Sequence, residues 1–156
     1  MMKYSIFIDD ELELSKIQQT RCINKIVNTI DDKKGWRKLG YKFEYIPNTK
    51  INIDFIIYMS SNKKIIKECD LDGLSCAITP NNIIYLNYMN WKNGVKKTKL
   101  NNDEYRTMVV LHEVGHILRR GHYEFGKPGS KAPLMSTQTL LGIGKCKPNM
   151  YPLWWE

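Results

Sequence analysis

The sequence predicts a single α+β domain. Its 156 residues match the usual length of one domain, and a compact chain of that size buries roughly 70% of the surface its unfolded form exposes. Short apolar segments of strand length and two longer segments with helical periodicity follow each other along the chain. A hydrophobic share of 42% excludes a wholly disordered chain, and only 10 glycines exclude a collagen-like one.

The N-terminal region predicts one strand followed by one helix. The strand is expected over residues 4–8, where the chain is apolar and rich in β-forming side chains. The helix is expected over residues 15–30, because Cys22, Ile26 and Ile30 recur at helical spacing and share one face.

The middle of the chain predicts further strands. Residues 41–46 alternate apolar and polar side chains, and residues 51–59 are rich in isoleucine and aromatic side chains. Residues 77–79 and 83–88 predict a hairpin, since the stretch between them contains proline and asparagine. Residues 92–99 are expected to form a basic loop.

A second helix is expected after this loop. It begins near Asn101 or Asn102, both good N-cap residues, and two acidic side chains lie in its first turn. It runs to about Arg120 and stops at Gly121.

The net charge and the lengths of the apolar runs limit the possible partners and compartments. The 24 basic and 16 acidic residues give a net charge of +8, which favours acidic partners without establishing nucleic-acid binding. No run of about 18 apolar residues is present, so neither a membrane span nor a membrane partner is expected. The N-terminal apolar run ends at Ile8 and is followed by acidic residues, unlike a signal peptide, and the default expectation is an intracellular protein.

The four cysteines form no CxxC pair, which argues against a cysteine zinc ribbon. Cys69 and Cys76 either bridge a short loop or remain free thiols. The missing signal peptide favours free thiols in a reducing compartment.

The strongest motif lies on the second helix. His112 and His116 are four residues apart, so both imidazoles project from one helix face and reach one metal ion. His122 follows Gly121, where the chain can leave the helix and double back. The protein has three histidines and all lie within this segment, which favours a metal site over a helix with incidental histidines. Three imidazoles and one open position predict a single catalytic Zn²⁺.

A hydrolytic mechanism follows if this ligand set is complete. Zinc lowers the pKa of a bound water to about 7 and polarises a carbonyl group. Glu113, next to the first ligand, is expected to accept the proton as general base and to pass it to the leaving amine.

One strand is a candidate for substrate pairing. An exposed edge strand binds an extended peptide through backbone hydrogen bonds. An ordinary internal strand has the same sequence pattern, so both interpretations stay open for this segment. The candidate residues are Ile83, Ile84, Tyr85, Leu86, Asn87 and Tyr88.

The spacing of the three histidines resembles that of the metzincin clan of zinc metallopeptidases, and the segment Ala132-Pro133-Leu134-Met135-Ser136 resembles the Met-turn of that clan. The chain is also similar to a family of uncharacterised metzincin-like domains, known mainly from bacteria. The matches extend in order over most of the chain and include Gly35-Trp36, Cys69, Cys76, Trp91, Tyr105-Arg106, Pro128-Gly129, Gln138-Thr139-Leu140, Gly144, Cys146, Pro148 and Asn149.

This resemblance implies a zincin-like fold over residues 1–156. Such a fold has a mixed twisted sheet, a backing helix and an active-site helix, with Met135 packed below the metal. It also implies that a tyrosine, Tyr123 or Tyr151, supports the transition state. Relatives are often exported, which leaves the compartment open.

Two positions depart from the family pattern. The clan usually has glycine three residues after the second histidine, where this chain has Arg119, so the left-handed bend is expected at Gly121 instead. Relatives carry a cysteine just before the Pro-Gly pair, where this chain has Gly126 and Lys127, so Cys146 is expected to lack a partner.

The sequence therefore predicts a monomeric zinc peptidase that acts on peptide or protein substrates. Basic residues around 96–99 and 119–120 either rim the cleft and favour acidic substrates or form solvated surface. The alternative is a non-catalytic zinc-containing module that binds nucleic acid or an acidic protein. Glu113 favours the enzyme, for which nucleic acid is not an expected partner, because a structural zinc site needs no neighbouring base.

Overall fold

A five-stranded mixed sheet with helices packed against it forms one α/β domain in the computed structural model, which describes residues 1–156. The strands are β1 (Met2–Ile8), β2 (Phe43–Tyr45), β3 (Phe55–Ser60), β4 (Cys76–Ile78) and β5 (Ile83–Asn87). Their spatial order is β2-β1-β3-β5-β4. The first three and β5 are parallel, whereas β4 runs antiparallel to β5 at one edge.

The register of the parallel strands aligns the apolar residues of one face. Ile6 of β1 lies opposite Ile57 of β3, and Ile57 lies opposite Ile84 of β5. All three are buried, and every second residue along each strand shares their face. This layer forms the main core together with two long helices.

These long helices are α1 (Lys16–Ile30) and α4 (Asn102–Ile117). Both start at a capping box, in which Ser15 and Asn101 accept hydrogen bonds from the backbone three residues later. The two predicted helix starts are therefore confirmed, as is the α1 face that buries Ile26 and Ile30. No helix of the chain combines the length and apolar character needed to cross a membrane.

The predicted end of α4 is wrong. The helix stops at Ile117 because Arg119 adopts a left-handed conformation with φ 65°. The Arg119 N–H bonds to the His116 carbonyl and the Arg120 N–H to the Gly115 carbonyl, which is the hydrogen-bond pattern of a Schellman motif. The bend therefore lies at the position where glycine was expected by resemblance, and not at Gly121.

Three shorter helices were not predicted. They are α2 (Asn62–Cys69), α3 (Tyr88–Asn93) and α5 (Gln138–Leu141). The Ser61 hydroxyl caps α2, and the Asn87 side chain caps α3. Tyr88 therefore begins a helix instead of ending a strand, and the expected basic loop starts only after α3.

The expectation of free thiols at Cys69 and Cys76 is also wrong. The two residues form a disulfide that joins the end of α2 to β4, with their Cα atoms 6.6 Å apart. Chain folding brings the two positions into bonding range, which spacing alone does not reveal. Cys22 and Cys146 are free and buried, as expected for Cys146.

Candidate metal centre

The three histidines converge at the C-terminal end of α4. The Nε2 atom of His122 lies 3.1 Å from that of His116 and 3.3 Å from that of His112. His112 and His116 project from the same face of α4, and the bend at Arg119 returns the chain so that His122 meets them. The structure thus brings together all three predicted ligands, and each offers one nitrogen to a common point.

Backbone carbonyls fix the orientation of two of these rings. His112 Nδ1 donates to the Leu134 carbonyl at 2.8 Å, and His116 Nδ1 donates to the Arg120 carbonyl at 2.9 Å. Because a carbonyl oxygen only accepts, the proton of each neutral ring resides on Nδ1. The Nε2 lone pairs therefore face the cluster, as in metal sites whose ligands are held by outer hydrogen bonds.

The donor set fits a zinc ion. The Nε2 lone pairs of His112 and His116 both face His122 Nε2, and a single proton on that atom can bond to only one of them. A cation at the centre of the cluster would bind all three nitrogens. Tetrahedral zinc with bonds of about 2.0–2.1 Å places neighbouring ligand nitrogens about 3.3 Å apart. The two distances above lie close to that separation.

The electrostatics of the cluster favour neutral imidazoles. Burial, reinforced by the neighbouring His116, lowers the pKa of His112 to about 3. Burial also lowers the pKa values of His116 and His122. Metal binding requires the deprotonated ring, so little proton competition is expected at neutral pH.

Glu113 lies beside this cluster on the same helix. Its side chain is only 5% exposed, lines the cleft that contains the histidines, and makes no hydrogen bond within the protein. Burial raises the pKa of Glu113 to about 8. A carboxyl group with a pKa near neutrality can take up and release a proton at physiological pH.

Met135 packs directly beneath α4 between the two helical ligands. A Cβ atom added to Gly115 would contact the Met135 sulfur and lie 2.8 Å from the Trp36 ring, so only glycine permits this approach. Trp36 is itself buried and donates from its indole nitrogen to the Leu111 carbonyl at 2.7 Å. Gly115 therefore brings the predicted Met-turn against the helix, a role that we did not predict.

A cleft of about 500 Å³ opens in front of the cluster. One wall contains β4 and the loop that precedes it, and the opposite wall contains residues 136–140. Its apolar lining includes Leu74, Ala77, Met108 and Leu140.

The predicted substrate strand is not an edge strand. Residues Ile83–Asn87 form β5, which pairs with β3 on one side and with β4 on the other. The strand that borders the cleft is β4, which is short and antiparallel. Sequence reasoning located the hairpin correctly but could not order its strands, because crossover connections determine that order.

The two candidate tyrosines lie outside the cleft lining. Tyr123 follows His122 directly, and its ring packs edge-on against Trp155 with centroids 5.2 Å apart. Tyr151 donates its hydroxyl proton to the Asp32 carboxylate at 2.8 Å and is thereby engaged elsewhere. The structure gives no support for Tyr151 at the metal centre.

Two basic side chains contact residues that border the cleft. Arg119 donates to the Thr79 carbonyl at 3.0 Å, and Lys97 donates to the Leu140 carbonyl at 2.9 Å. Because Thr79 and Leu140 lie on opposite walls, positive charge is present at both sides of the opening.

The fold and this site define a class of protein: a mixed α/β domain with a cleft in which three imidazoles converge beside a buried carboxyl group. The sequence profile of a family described as protein of unknown function (DUF3152) matches residues 1–145. The chain belongs to this family, and the match includes every candidate ligand and Glu113. No curated protein matches the chain.

Proposed function

We propose that this chain is a zinc-dependent metallopeptidase. The observation that carries the proposal is the convergence of three histidine nitrogens next to Glu113, a buried carboxyl group with no partner in the protein. A purely structural zinc site is closed by a fourth protein ligand and needs no neighbouring base. Here three candidate ligands meet at an open cleft.

The residues that would hold the ion are His112, His116 and His122. When bound, zinc supplies a Lewis acid that polarises the scissile carbonyl and lowers the pKa of water. Glu113 accepts the proton of the attacking water and donates it to the leaving amine nitrogen. Burial raises the pKa of Glu113 to about 8 in the metal-free chain, and the positive charge of a bound zinc ion would lower it again, so that the carboxylate is available as a base at neutral pH.

The substrate would lie along β4 in an extended conformation. This strand pairs with β5 on one side only, so its other edge offers backbone donors and acceptors to a peptide. Cys76 and Ala77 of β4 line the same cleft as His116. A peptide on this edge therefore passes close to the candidate zinc site.

Resemblance to the metzincin clan supports the same proposal. Met135 is fully buried, and the carbonyl of Leu134 in the same turn accepts a hydrogen bond from His112 Nδ1, an arrangement consistent with a Met-turn below a metal. In this proposal Met135 shapes the site without binding the ion. The positive charges of Arg119 and Lys97 favour acidic segments near the cleft ends.

A diverse peptide library, analysed by mass spectrometry, tests this proposal. We expect cleavage by the zinc-loaded protein, none after chelation, and a loss of about 10²–10⁴ in kcat for Glu113→Gln with zinc content unchanged. The matched control is Glu124→Gln, the same change at an exposed position two residues after His122.

The alternative, a non-catalytic binding module, predicts a different result. The net charge of +8 favours acidic partners for such a module. A protein that holds one zinc per chain, cleaves no peptide, and binds an acidic polymer in a salt-sensitive way would support it.

A further inference from the structure

The backbone of Leu134 and Met135 holds two of the three candidate ligand segments. The Leu134 carbonyl accepts the hydrogen bond from His112 Nδ1 at 2.8 Å. The Met135 carbonyl accepts one from the backbone N–H of Tyr123 at 3.1 Å, and Tyr123 directly follows His122. Any shift of these two residues therefore moves His112 and His122 together.

The N–H groups of the same two residues bind one side chain, that of Glu156. Its Oε2 accepts from Leu134 N at 3.1 Å and its Oε1 accepts from Met135 N at 2.8 Å. A third bond, at 2.7 Å, comes from Leu153 N to Oε2. Glu156 is only 2% exposed, and it forms no salt bridge.

A buried carboxylate is costly unless hydrogen bonds replace its hydration. Three backbone N–H groups provide that replacement here, and bonds to a charged acceptor are stronger than bonds between neutral groups. The position of Glu156 and the position of Leu134 and Met135 are thus tightly coupled. Residue 156 lies outside the part of the chain that the family profile matches.

We propose that Glu156 is a positioning residue for the metal centre. Its carboxylate fixes the backbone of Leu134 and Met135, and their carbonyls in turn orient His112 and the segment that carries His122. The inference rests on the proposed metal site, but not on peptidase activity.

Glutamine cannot replace this carboxylate. Both oxygens of Glu156 accept from backbone N–H groups, whereas a glutamine side chain has one acceptor oxygen and one NH₂ group. Glu156→Gln therefore places a donor against at least one N–H while it preserves the side-chain shape. Glu156→Asp keeps both acceptors but is one methylene shorter, so its effect should be intermediate.

The test measures zinc affinity of the full chain by competition with a chromophoric chelator. We expect Glu156→Gln to weaken zinc binding roughly tenfold, the lower end of losses seen when outer hydrogen bonds to metal ligands are removed. We expect a smaller loss for Glu156→Asp. The visible absorption of the Co²⁺-loaded variants should also change, because that spectrum reports the symmetry of the ligand set.

Ile26→Val serves as the control for a general loss of stability. Ile26 is fully buried in α1, which carries none of the metal-centre residues. It should lower the melting temperature while zinc affinity and the Co²⁺ spectrum remain those of the wild type. If Glu156→Gln does not fold, the zinc affinities and Co²⁺ spectra of Glu156→Asp and Ile26→Val are compared instead. A loss of affinity in Glu156→Asp alone supports the positioning role.

Two outcomes overturn the inference in distinguishable ways. Tight zinc binding by the wild type, with equal affinity and an identical Co²⁺ spectrum in the Glu156 variants, removes the role of Glu156 and leaves the metal site standing. Absence of zinc binding by the wild type removes the metal site and the positioning role together.

Discussion

The two walls of the cleft are built by different means. The sheet-side wall consists of β4 and the loop before it, held by the Cys69–Cys76 disulfide and the ladder with β5. The turn-side wall, residues 136–140, and the turn at residues 132–135 that precedes it are held by hydrogen bonds from buried side chains, among them Gln138 to the Pro133 carbonyl and Asn149 to the Ala132 carbonyl.

This difference separates two properties of the site. Leu134, in the turn that precedes the turn-side wall, accepts a hydrogen bond from His112. A substitution that displaces this turn should therefore displace His112 and weaken zinc binding. The sheet-side wall has no hydrogen bond to a candidate ligand, so damage to it should change substrate binding and leave metal affinity intact. The predictions below test this separation, starting with α4, which both walls contact.

The largest expected effect is the pH dependence of stability in the metal-free protein. Between pH 6.5 and about 3 the unfolded chain binds more protons at His112 than the folded chain does, so stability falls as pH decreases. Between pH 4.5 and about 8 the folded chain binds more protons at Glu113, so stability falls as pH increases. His116 and His122, whose pKa values are also lowered, add to the decline on the acid side. Thermal unfolding of the chelated protein should therefore show a maximum near pH 6.5.

Glu113→Gln should remove the alkaline decline, because Glu113 is the group that binds more protons in the folded chain than in the unfolded one. It should also steepen the decline from pH 6.5 to pH 4.5, where proton binding by Glu113 opposes the effect of His112. A melting temperature that rises steadily from pH 6.5 to pH 8 would contradict this account.

Breaking the turn-side wall gives the next largest effect. In Gly115→Ala the new Cβ would lie 2.8 Å from the Trp36 ring and 2.9 Å from Met135 Cε. Overpacking of this kind costs about 1–3 kcal/mol in the free energy of unfolding. Denaturant titration should show that loss, and zinc affinity should fall as Met135 and Leu134 move.

Gly121→Ala is the matched control, since a Cβ there meets no atom within 4 Å. Its stability and zinc affinity should stay close to those of the wild type. Equal zinc affinities for Gly115→Ala and Gly121→Ala would mean that displacing Met135 and Leu134 does not alter zinc binding.

Breaking the sheet-side wall should lower stability without loss of metal. Replacing Cys69 and Cys76 by serine opens a short loop, and the loop-entropy relation gives a cost of about 2.5 kcal/mol. The KM for a cleaved peptide should rise, while zinc affinity is unchanged. Chemical reduction of the wild type should give the same loss of stability and the same rise in KM. It breaks only the Cys69–Cys76 disulfide, because Cys22 and Cys146 are already free thiols.

The smallest expected effect concerns Arg119. Arg119→Ala keeps the left-handed strain and loses the bonds to the Thr79 carbonyl and to Asn82 Oδ1. Arg119→Gly loses the same bonds but relieves the strain, so it should be more stable than the alanine variant by about 1 kcal/mol. Chemical unfolding measures the difference in the free energy of unfolding between the two variants. A more stable Arg119→Ala would show that the left-handed conformation at this position carries no strain.

Local signals in the sequence explain which parts of this fold were predictable. The start of α1 was predicted from its helical apolar face, and the start of α4 from its capping residues and the acidic side chains of its first turn. The short helices α2 and α3 have caps at Ser61 and Asn87, but they lack a long periodic pattern. Their caps were the available signal.

The candidate site, like the fold, was predictable from the sequence only in its local features. The three histidines and Glu113 lie within one short segment, so helical geometry alone brings most of them together. The position of β4 at the sheet edge and the contact of Glu156 with Leu134 depend on the whole chain path. Spacing along the sequence does not encode such long-range placements.

The length of the sheet edges has a consequence for solubility. Both edge strands, β2 and β4, are only three residues long. Long flat edges template pairing between copies of a protein and lead to aggregation, and very short edge strands are one way in which natural proteins avoid it. An edge of this length spans about 10 Å. It is long enough to align a few residues of a bound peptide, and too short to start a sheet that runs from one molecule into the next.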